Sequence, residues 1–187
     1  MTPFLNMFPF KYWYLVNLLL GPSLFTAAAS AAAVCSLQCA NLAALLPNKV
    51  SYPGSSAFVS SITSYFFIGS RLNPTCVVTP TSTDDVAAIV KTLGRLHQKT
   101  PVAQFAIRGG GHSPNFGASD INQGVTIDMR SIKNIQVSNN GSMTSVGGGA
   151  IWSDVYAALL PMNLSVVGGR VAGPGLGGLT TGGTWLY

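Results

Sequence analysis

The segment from Arg108 to Ser113, Arg-Gly-Gly-Gly-His-Ser, has the residue types needed to bind a phosphate and to supply a nucleophile. It follows the apolar run Ala103 to Ile107. Consecutive glycines adopt backbone conformations closed to other residues and let a ligand approach closely. Successive N–H groups in such a turn form a concave anion site, and His112 at its rim adds a nucleophilic nitrogen. The alternative is a glycine-rich turn with a surface histidine, because short glycine motifs often match by chance.

Two further glycine clusters favour the ligand-binding interpretation. One occupies 147–149 and leads into an apolar segment, and the other extends from Gly168 to Gly183 after a pair of valines. The chain has 21 glycines, most of them between positions 109 and 183. Glycine-rich linkers are usually polar and lack such apolar runs. The repeated pattern therefore predicts backbone wrapped around a long, phosphate-bearing ligand.

The context of these glycines points away from a Rossmann dinucleotide site. That fingerprint needs a GxGxxG between a first strand and its helix, with an acidic residue about twenty positions later. Neither the Gly149-Ala150 junction nor the spacing of Gly175 to Gly178 supplies this arrangement.

In their order and spacing, the motifs together resemble the PCMH-type FAD-binding domain of the vanillyl-alcohol oxidase superfamily. The resemblance is closest to the berberine-bridge-enzyme-like branch of secreted FAD-linked oxidases, and it extends over roughly residues 51–183. Strands and helices are interspersed without strict βαβ alternation, so the predicted fold class is α+β. The motifs that carry the resemblance are Pro80–Val86, Arg108–Ser113, Ile127–Met129, Val146–Val155, Gly168–Arg170 and Gly175–Gly183.

The resemblance implies an FAD site in which His112 is bonded through an imidazole nitrogen to the 8α-methyl group of the flavin. Neutral imidazole, available near neutral pH, suits that chemistry. Some similar proteins attach FAD a second time through a cysteine, but Val171 occupies that position here, so a single covalent link is expected. Pro174 and Thr184 also depart from the usual pattern. The implied FAD-binding residues are Arg108, Gly109, Gly110, Gly111, His112, Ser113, Gly117, Ala118, Gly175, Leu176, Gly177, Gly178 and Thr180.

The activity implied is that of an FAD-dependent oxidoreductase. Hydride would pass from a small organic substrate to flavin N5, and O2 would reoxidise the flavin, which performs the redox step itself. Similar enzymes continue past the point equivalent to Tyr187 with the rest of the flavin domain and a substrate domain. We therefore expect an incomplete domain, inactive alone, whose catalytic base lies elsewhere. The alternative is a catalytically inactive secreted flavin-binding fragment or a truncated gene product.

Asp128 and Asp154 are interpreted as structural, and no metal site is predicted.

Residues 1–29 have the order of a secretory signal peptide, with cleavage near 29–33. Lys11 precedes an apolar stretch that ends in two alanine triplets. The competing interpretation is an uncleaved anchor, because Tyr12 to Val34 is long enough to span a membrane. Cleavage predicts a secreted protein without stable membrane association. Asn140 and Asn163 begin acceptor sequons for glycosylation.

The net charge of +5 gives weak support for nucleic-acid binding, because the basic residues are scattered along the chain. No nucleic-acid partner is predicted.

Three cysteines in an oxidising compartment imply one disulfide and one leftover thiol. Similar proteins link the N-terminal helix to the first buried strand, which implies Cys39–Cys76. Cys35–Cys76 and three free thiols are the alternatives.

The predicted organisation places an N-terminal helix and linker at 30–70 and the incomplete FAD-binding domain at 71–187. Helices are expected from Thr83 to His97, capped by Thr83 with Val86, Ile89, Val90, Leu93 and Leu96 facing inward, and from Ile151 to Leu160. Strands are expected at 75–79, 103–107, 125–128, 135–137, 144–147 and 165–167.

Overall fold

The computed structural model describes residues 32–99 and 103–183. The signal-peptide segment, Thr184 and Trp185 lie outside the described residues. Three short 3-10 turns occupy Ile68–Ser70, Met129–Ser131 and Leu160–Met162. In chain order, the helices and strands are α1 (residues 32–45), β1 (Val50–Ser51), α2 (Ser56–Thr63), β2 (Cys76–Val78), α3 (Thr83–Lys99), β3 (Phe105–Arg108), β4 (Val125–Asp128), β5 (Ile135–Val137), β6 (Thr144–Val146), α4 (Trp152–Leu159) and α5 (Leu176–Gly182).

A four-stranded mixed sheet of order β1-β2-β4-β3 forms the centre of the fold. β2, β4 and β3 run parallel, with Val77 and Ala106 both opposite Thr126, and β1 pairs antiparallel with β2. Parallel strands need a long crossover. α3 supplies it between β2 and β3, which lie on either side of β4 in the sheet. The carboxyl ends of β3 and β4 therefore lie at the same edge of the sheet. This architecture confirms the α+β class.

Every residue of β2 and β4 is buried. That pattern is expected for parallel strands covered on both faces. The main core packs α1 and α3 against these two strands through Leu42, Ile89 and Leu93. Each fully buried side chain of this size contributes about 1.5–3 kcal/mol.

α3 begins with a capping box. The Ser82 hydroxyl accepts a hydrogen bond from the Asp85 backbone N–H at 3.1 Å, and the Asp85 carboxylate accepts one from the Ser82 N–H at 3.2 Å. These reciprocal bonds satisfy backbone donors that have no partner within the first turn. The helix thus starts where predicted, but its cap is Ser82 and not Thr83. Val90 is another correction, since it is 40% exposed and lies off the inward face.

A disulfide joins Cys39 of α1 to Cys76 of β2, with a Cα–Cα distance of 6.1 Å. This is the pairing that the resemblance implies. Cys35, one helical turn before Cys39, is free and buried, and its thiol contacts the Gln123 carbonyl oxygen. The bridge anchors the N-terminal helix to the central sheet.

A second, smaller core forms between the β5-β6 hairpin and α4. Trp152, Val155 and Leu159 of α4 are buried, and Ile135 and Val146 of the hairpin pack against them. The chain at 165–167, predicted as a strand, is irregular instead. It leads to Gly168 and Gly169, which pass so close to the Trp152 ring that a Cβ on either would collide with it.

Candidate cofactor site

The Gly109–Ser113 loop leaves β3 at the carboxyl edge of the parallel strands. In open α/β sheets, ligands bind in the crevice outside this edge. Met129, which follows β4, lies at the same edge. The loop and its surroundings line a cavity of about 740 Å³. The sequence therefore brings the first glycine cluster to the position where a parallel sheet normally receives its ligand.

The first and third glycine clusters meet backbone to backbone. A Cβ added at Gly110 would lie 2.5 Å from the Gly175 nitrogen and 3.1 Å from the Gly173 carbonyl oxygen. A Cβ added at Gly175 would in turn collide with the Gly110 nitrogen. This contact needs glycine on both sides, because the obstructing atoms are backbone and cannot rotate away. Sixty-five positions apart in the sequence, the two clusters form one wall.

The backbone N–H groups of Gly110, Gly111 and His112 donate no hydrogen bond to any other residue in the described part of the chain. The Gly111 carbonyl, by contrast, accepts one from the Phe66 N–H at 3.1 Å. Gly111 has φ of +68°, a conformation that L side chains rarely adopt. Successive free N–H groups in such a turn form a nest for an anion. The loop thus has the donors that a pyrophosphate requires.

His112 lies in the cavity wall, against an aromatic ring. Its imidazole stacks on Phe66 with ring centroids 4.1 Å apart and an interplanar angle of 11°. A Cβ at Gly173 would lie 2.8 Å from the His112 Cδ2 and 3.1 Å from its Nε2. The imidazole therefore has one face against the Phe66 ring and its Cδ2–Nε2 edge close to the backbone at Gly173.

The second glycine cluster mainly serves packing. A Cβ at Gly149 would collide with the Met129 carbonyl oxygen, and one at Gly147 with that of Ile132. Only Gly148 of this cluster lines the cavity. Its carbonyl oxygen would lie 2.8 Å from a Cβ at Gly177. The cluster thus lets the chain before α4 lie against the turn after β4 and reach α5.

Arg108 lies behind the loop, fully buried. Its guanidinium stacks over the Tyr65 ring at 3.8 Å and donates to the Ser64 hydroxyl at 3.1 Å and to the Ser61 carbonyl. A Cβ at Gly111 would lie only 2.8 Å from the Arg108 Nε. The side chain therefore supports the glycine loop from below and does not line the cavity.

Asp128 is the buried counter-charge between two arginines. Its carboxylate lies 2.7 Å from the Arg130 guanidinium and 3.9 Å from that of Arg108, and it accepts a hydrogen bond from the Ser61 hydroxyl at 2.6 Å. Burial acts to raise the pKa of Asp128, but the hydrogen bonds from Arg130 and Ser61 and both positive charges outweigh it and lower the pKa. The ion pair with Arg108 joins the end of β4 to the start of the glycine loop, and the hydrogen bond from Ser61 joins it to α2.

Acid is expected to destabilise the protein through Asp128. An unfolded aspartate has a pKa of about 3.9, and the folded value is lower. The carboxylate therefore stabilises the fold fully above about pH 4, and the contribution is lost as pH falls through the folded pKa. We expect the melting temperature of the wild type to fall more steeply between pH 5 and about pH 2 than that of Asp128→Asn. Parallel acid profiles would contradict this role.

The structure divides the sequence-predicted FAD residues by position. Leu176 packs into the smaller core, Thr180 and Gly117 are exposed, and Arg108 is buried behind the loop. None of these four lines the cavity. The nine that do are Gly109, Gly110, Gly111, His112, Ser113, Ala118, Gly175, Gly177 and Gly178. Their contact with FAD stays a prediction.

Sequence reasoning missed the support that α2 and the residues after it give to the site. Ser61 and Tyr65 are buried, and Phe66 stacks on His112, although this segment was assigned to the N-terminal helix and linker. The linker portion also contains β1. Residues 56–70 mix serines with four aromatic residues and match no motif for ligand binding, so nothing in the sequence marks these roles. Further cavity residues outside the prediction are Ile107, Ser119, Met129, Gly148, Pro174, Leu179, Thr181 and Gly182.

Within residues 32–99 and 103–183, no group of three His, Cys, Asp or Glu side chains is placed to hold a metal ion. Across the same ranges, no helix has the length and apolar character needed to cross a membrane.

The comparisons with known proteins agree with this geometry. A family model described as "FAD binding domain" matches residues 74–187. The FAD-dependent monooxygenase sdcF of Emericella nidulans is 41% identical over 152 residues, which make up 81% of this chain and 31% of that protein. The chain spans less than a third of the length of the curated relatives that it matches.

Solved structures share the fold. A variant of Physcomitrella patens BBE-like 1 superposes with a TM-score of 0.63 at 21% identity, over 75% of this chain and 29% of that one. Glucooligosaccharide oxidase from Acremonium strictum gives a TM-score of 0.62 at 22% identity, with the same coverage. The description of the latter names a 6-S-cysteinyl, 8α-N1-histidyl FAD.

Proposed function

This chain belongs to the PCMH-type FAD-binding domain family, and on that premise we propose that it is the FAD-holding part of an oxidoreductase that acts on a small organic substrate. The single observation that carries the proposal is the cavity at the carboxyl edge of the parallel strands. Its wall combines free backbone N–H groups, a backbone contact that only glycines allow, and His112.

The residues fit FAD in shape and in charge. The Gly110–His112 turn offers donors for the pyrophosphate. The glycines of the third cluster leave room for a flat ring, since a Cβ placed at Gly178 or Gly182 would meet no described atom within 4 Å outside its chain neighbours and its own helix. Ile107, which is 52% exposed, and Met129 offer apolar contacts. When bound, FAD supplies the two-electron redox chemistry. The protein binds it, orients it and shields it from water.

We assign His112 as the covalent attachment point, through one of its ring nitrogens and the 8α-methyl group. Its place in the cavity wall supports this assignment, as does the histidyl linkage named for glucooligosaccharide oxidase. Val171 stands where a second, cysteinyl link would require sulfur, so attachment is single.

For the whole protein, we propose hydride transfer from the substrate to the flavin, with O2 as the acceptor of the electrons. The curated relatives are named FAD-dependent monooxygenases, and one structural neighbour is named an oxidase. Both names are consistent with a flavin that reacts with O2. The sequence of residues 1–29 further supports export of the protein from the cell.

Flavin attachment is tested on the full-length protein purified with its cofactor. We expect the wild type to keep its yellow colour on the polypeptide after denaturation and precipitation, whereas His112→Ala releases all of its flavin into the supernatant. The matched control is His97→Ala, because His97 is the only other histidine in the chain and bonds to the Ala103 carbonyl, away from the loop. Complete release from the denatured wild type would overturn the covalent link, and absence of flavin from the native protein would overturn FAD binding.

A further inference from the structure

We infer that Phe66 is a positioning residue for His112, whose ring holds the imidazole in the orientation needed to bond with the flavin methyl group. The inference rests on the proposed function. It assigns a role to the segment after α2, which the FAD-binding motifs do not include.

The contact between Phe66 and His112 is close and nearly parallel, with centroids 4.1 Å apart at 11°. The backbone of Phe66 is tied to the same loop, because its N–H donates to the Gly111 carbonyl at 3.1 Å. Phe66 is nevertheless 69% exposed. Its side chain therefore contributes little to the core, and its main described contact is the imidazole.

Apart from the stack on Phe66, few contacts orient the His112 ring. In the described part of the chain, no hydrogen bond joins the His112 ring to another residue, and Gly173 approaches only the Cδ2 and Nε2 side of the ring. A histidine nucleophile is usually oriented by a hydrogen-bonded partner. Here the Phe66 ring, which covers one face of the imidazole, and the Gly173 backbone, which lies at its Cδ2–Nε2 edge, take that place.

The attachment step itself balances with O2 as the oxidant. A bond forms between an imidazole nitrogen and the 8α carbon, while one C–H bond of the methyl group and the imidazole N–H bond break. The two electrons and two protons released would pass by way of the isoalloxazine ring to O2, which is thereby reduced to hydrogen peroxide. Bond formation needs the nitrogen lone pair aimed at the methyl carbon, so the rate depends on the fraction of time that the imidazole is held in place.

The test measures the rate of covalent attachment. Full-length apoprotein, produced under riboflavin limitation, is mixed with FAD in air, and the flavin-bearing fraction of the denatured polypeptide is followed by mass spectrometry. An aromatic pair of this kind favours the stacked orientation by about twofold to tenfold, so Phe66→Ala is expected to slow attachment by about that factor. Total bound FAD and the melting temperature of the apoprotein are expected to stay at wild-type levels.

Three further variants separate positioning from other effects. Phe66→Tyr keeps the aromatic face and is expected to restore the wild-type rate. Phe116→Ala removes a phenylalanine that is similarly exposed, at 73%, and is expected to leave the rate unchanged. Phe66→Leu keeps an apolar side chain without a ring, so slow attachment in this variant supports the inference even where Phe66→Ala does not fold.

The outcomes distinguish this inference from the proposed function. Equal attachment rates in the wild type, Phe66→Ala and Phe66→Leu would overturn the role of Phe66 and leave the covalent link intact. A wild type that binds FAD without any covalent attachment would overturn both.

Discussion

Gly110→Ala is expected to reduce the FAD content of the purified full-length protein to less than about a tenth of the wild-type level. The added methyl would lie 2.5 Å from the Gly175 nitrogen and 2.8 Å from its Cα. Because these are backbone atoms, the two glycine segments must separate. Overpacking of this kind costs about 1–3 kcal/mol even where side chains can adjust, and 1.4 kcal/mol already corresponds to a tenfold change in binding.

The matched control for Gly110→Ala is Gly94→Ala. Gly94 lies in α3 and does not line the cavity, and a Cβ at this position would meet no described atom within 4 Å outside its chain neighbours and its own helix. We expect Gly94→Ala to fold and to keep the FAD content of the wild type. Flavin absorbance relative to protein absorbance gives both values. Equal FAD content in the two variants would show that the Gly110–Gly175 contact does not shape the site.

The sequence predicts the central scaffold well where hydrophobic periodicity is strong. α3 has apolar residues at helical spacing, β2 is a short apolar run, and β4 alternates Val125 and Ile127 with polar residues. The position of the first glycine cluster is also predictable, because the cluster directly follows the strand β3. Local sequence determines these features, so they can be predicted without tertiary information.

Two of the failures have tertiary causes. The 165–167 segment has the apolar composition of a strand, yet it is irregular and leads to Gly168 and Gly169, which pass close to the Trp152 ring. Ser61 has no motif at all, and it becomes important only because β4 places Asp128 within 2.6 Å of it. The choice of Ser82 over Thr83 as the cap is local, because it depends on the two reciprocal hydrogen bonds between Ser82 and Asp85. Neighbouring serine and threonine residues are both good caps, so composition alone does not separate them.

The site is therefore built in two layers with different sequence signals. The wall that faces the cavity is mostly glycine backbone, and composition makes it visible. The layer beneath it is a charged network of Arg108, Asp128 and Arg130 with the hydroxyls of α2, and single polar residues leave no pattern. The first layer needs the second, since a glycine loop has no side chains with which to hold its own shape.

Arg108→Met is expected to destabilise the folded protein by about 2–3 kcal/mol, the cost of losing buried hydrogen bonds from a charged group. The variant keeps an apolar stem of similar length but loses the guanidinium that contacts Tyr65, Ser64 and Asp128. The loss is not larger, because Asp128 keeps Arg130 at 2.7 Å as its remaining cation. For a domain of 150–250 residues, this loss corresponds to a fall in melting temperature of about 4–12 °C. Thermal unfolding followed by circular dichroism measures it.

Two variants make the interpretation of Arg108→Met specific. Arg95→Met makes the same chemical change at an exposed position of α3 and is expected to shift the melting temperature by no more than about 2 °C. Arg108→Lys keeps the charge but loses the planar fork that stacks on Tyr65 and reaches two serines at once, so we expect an intermediate loss. If Arg108→Met and the wild type unfold at the same temperature, the buried network does not hold the glycine loop. The loop then owes its shape to the Gly110–Gly175 contact and to the hydrogen bond from the Phe66 N–H to the Gly111 carbonyl.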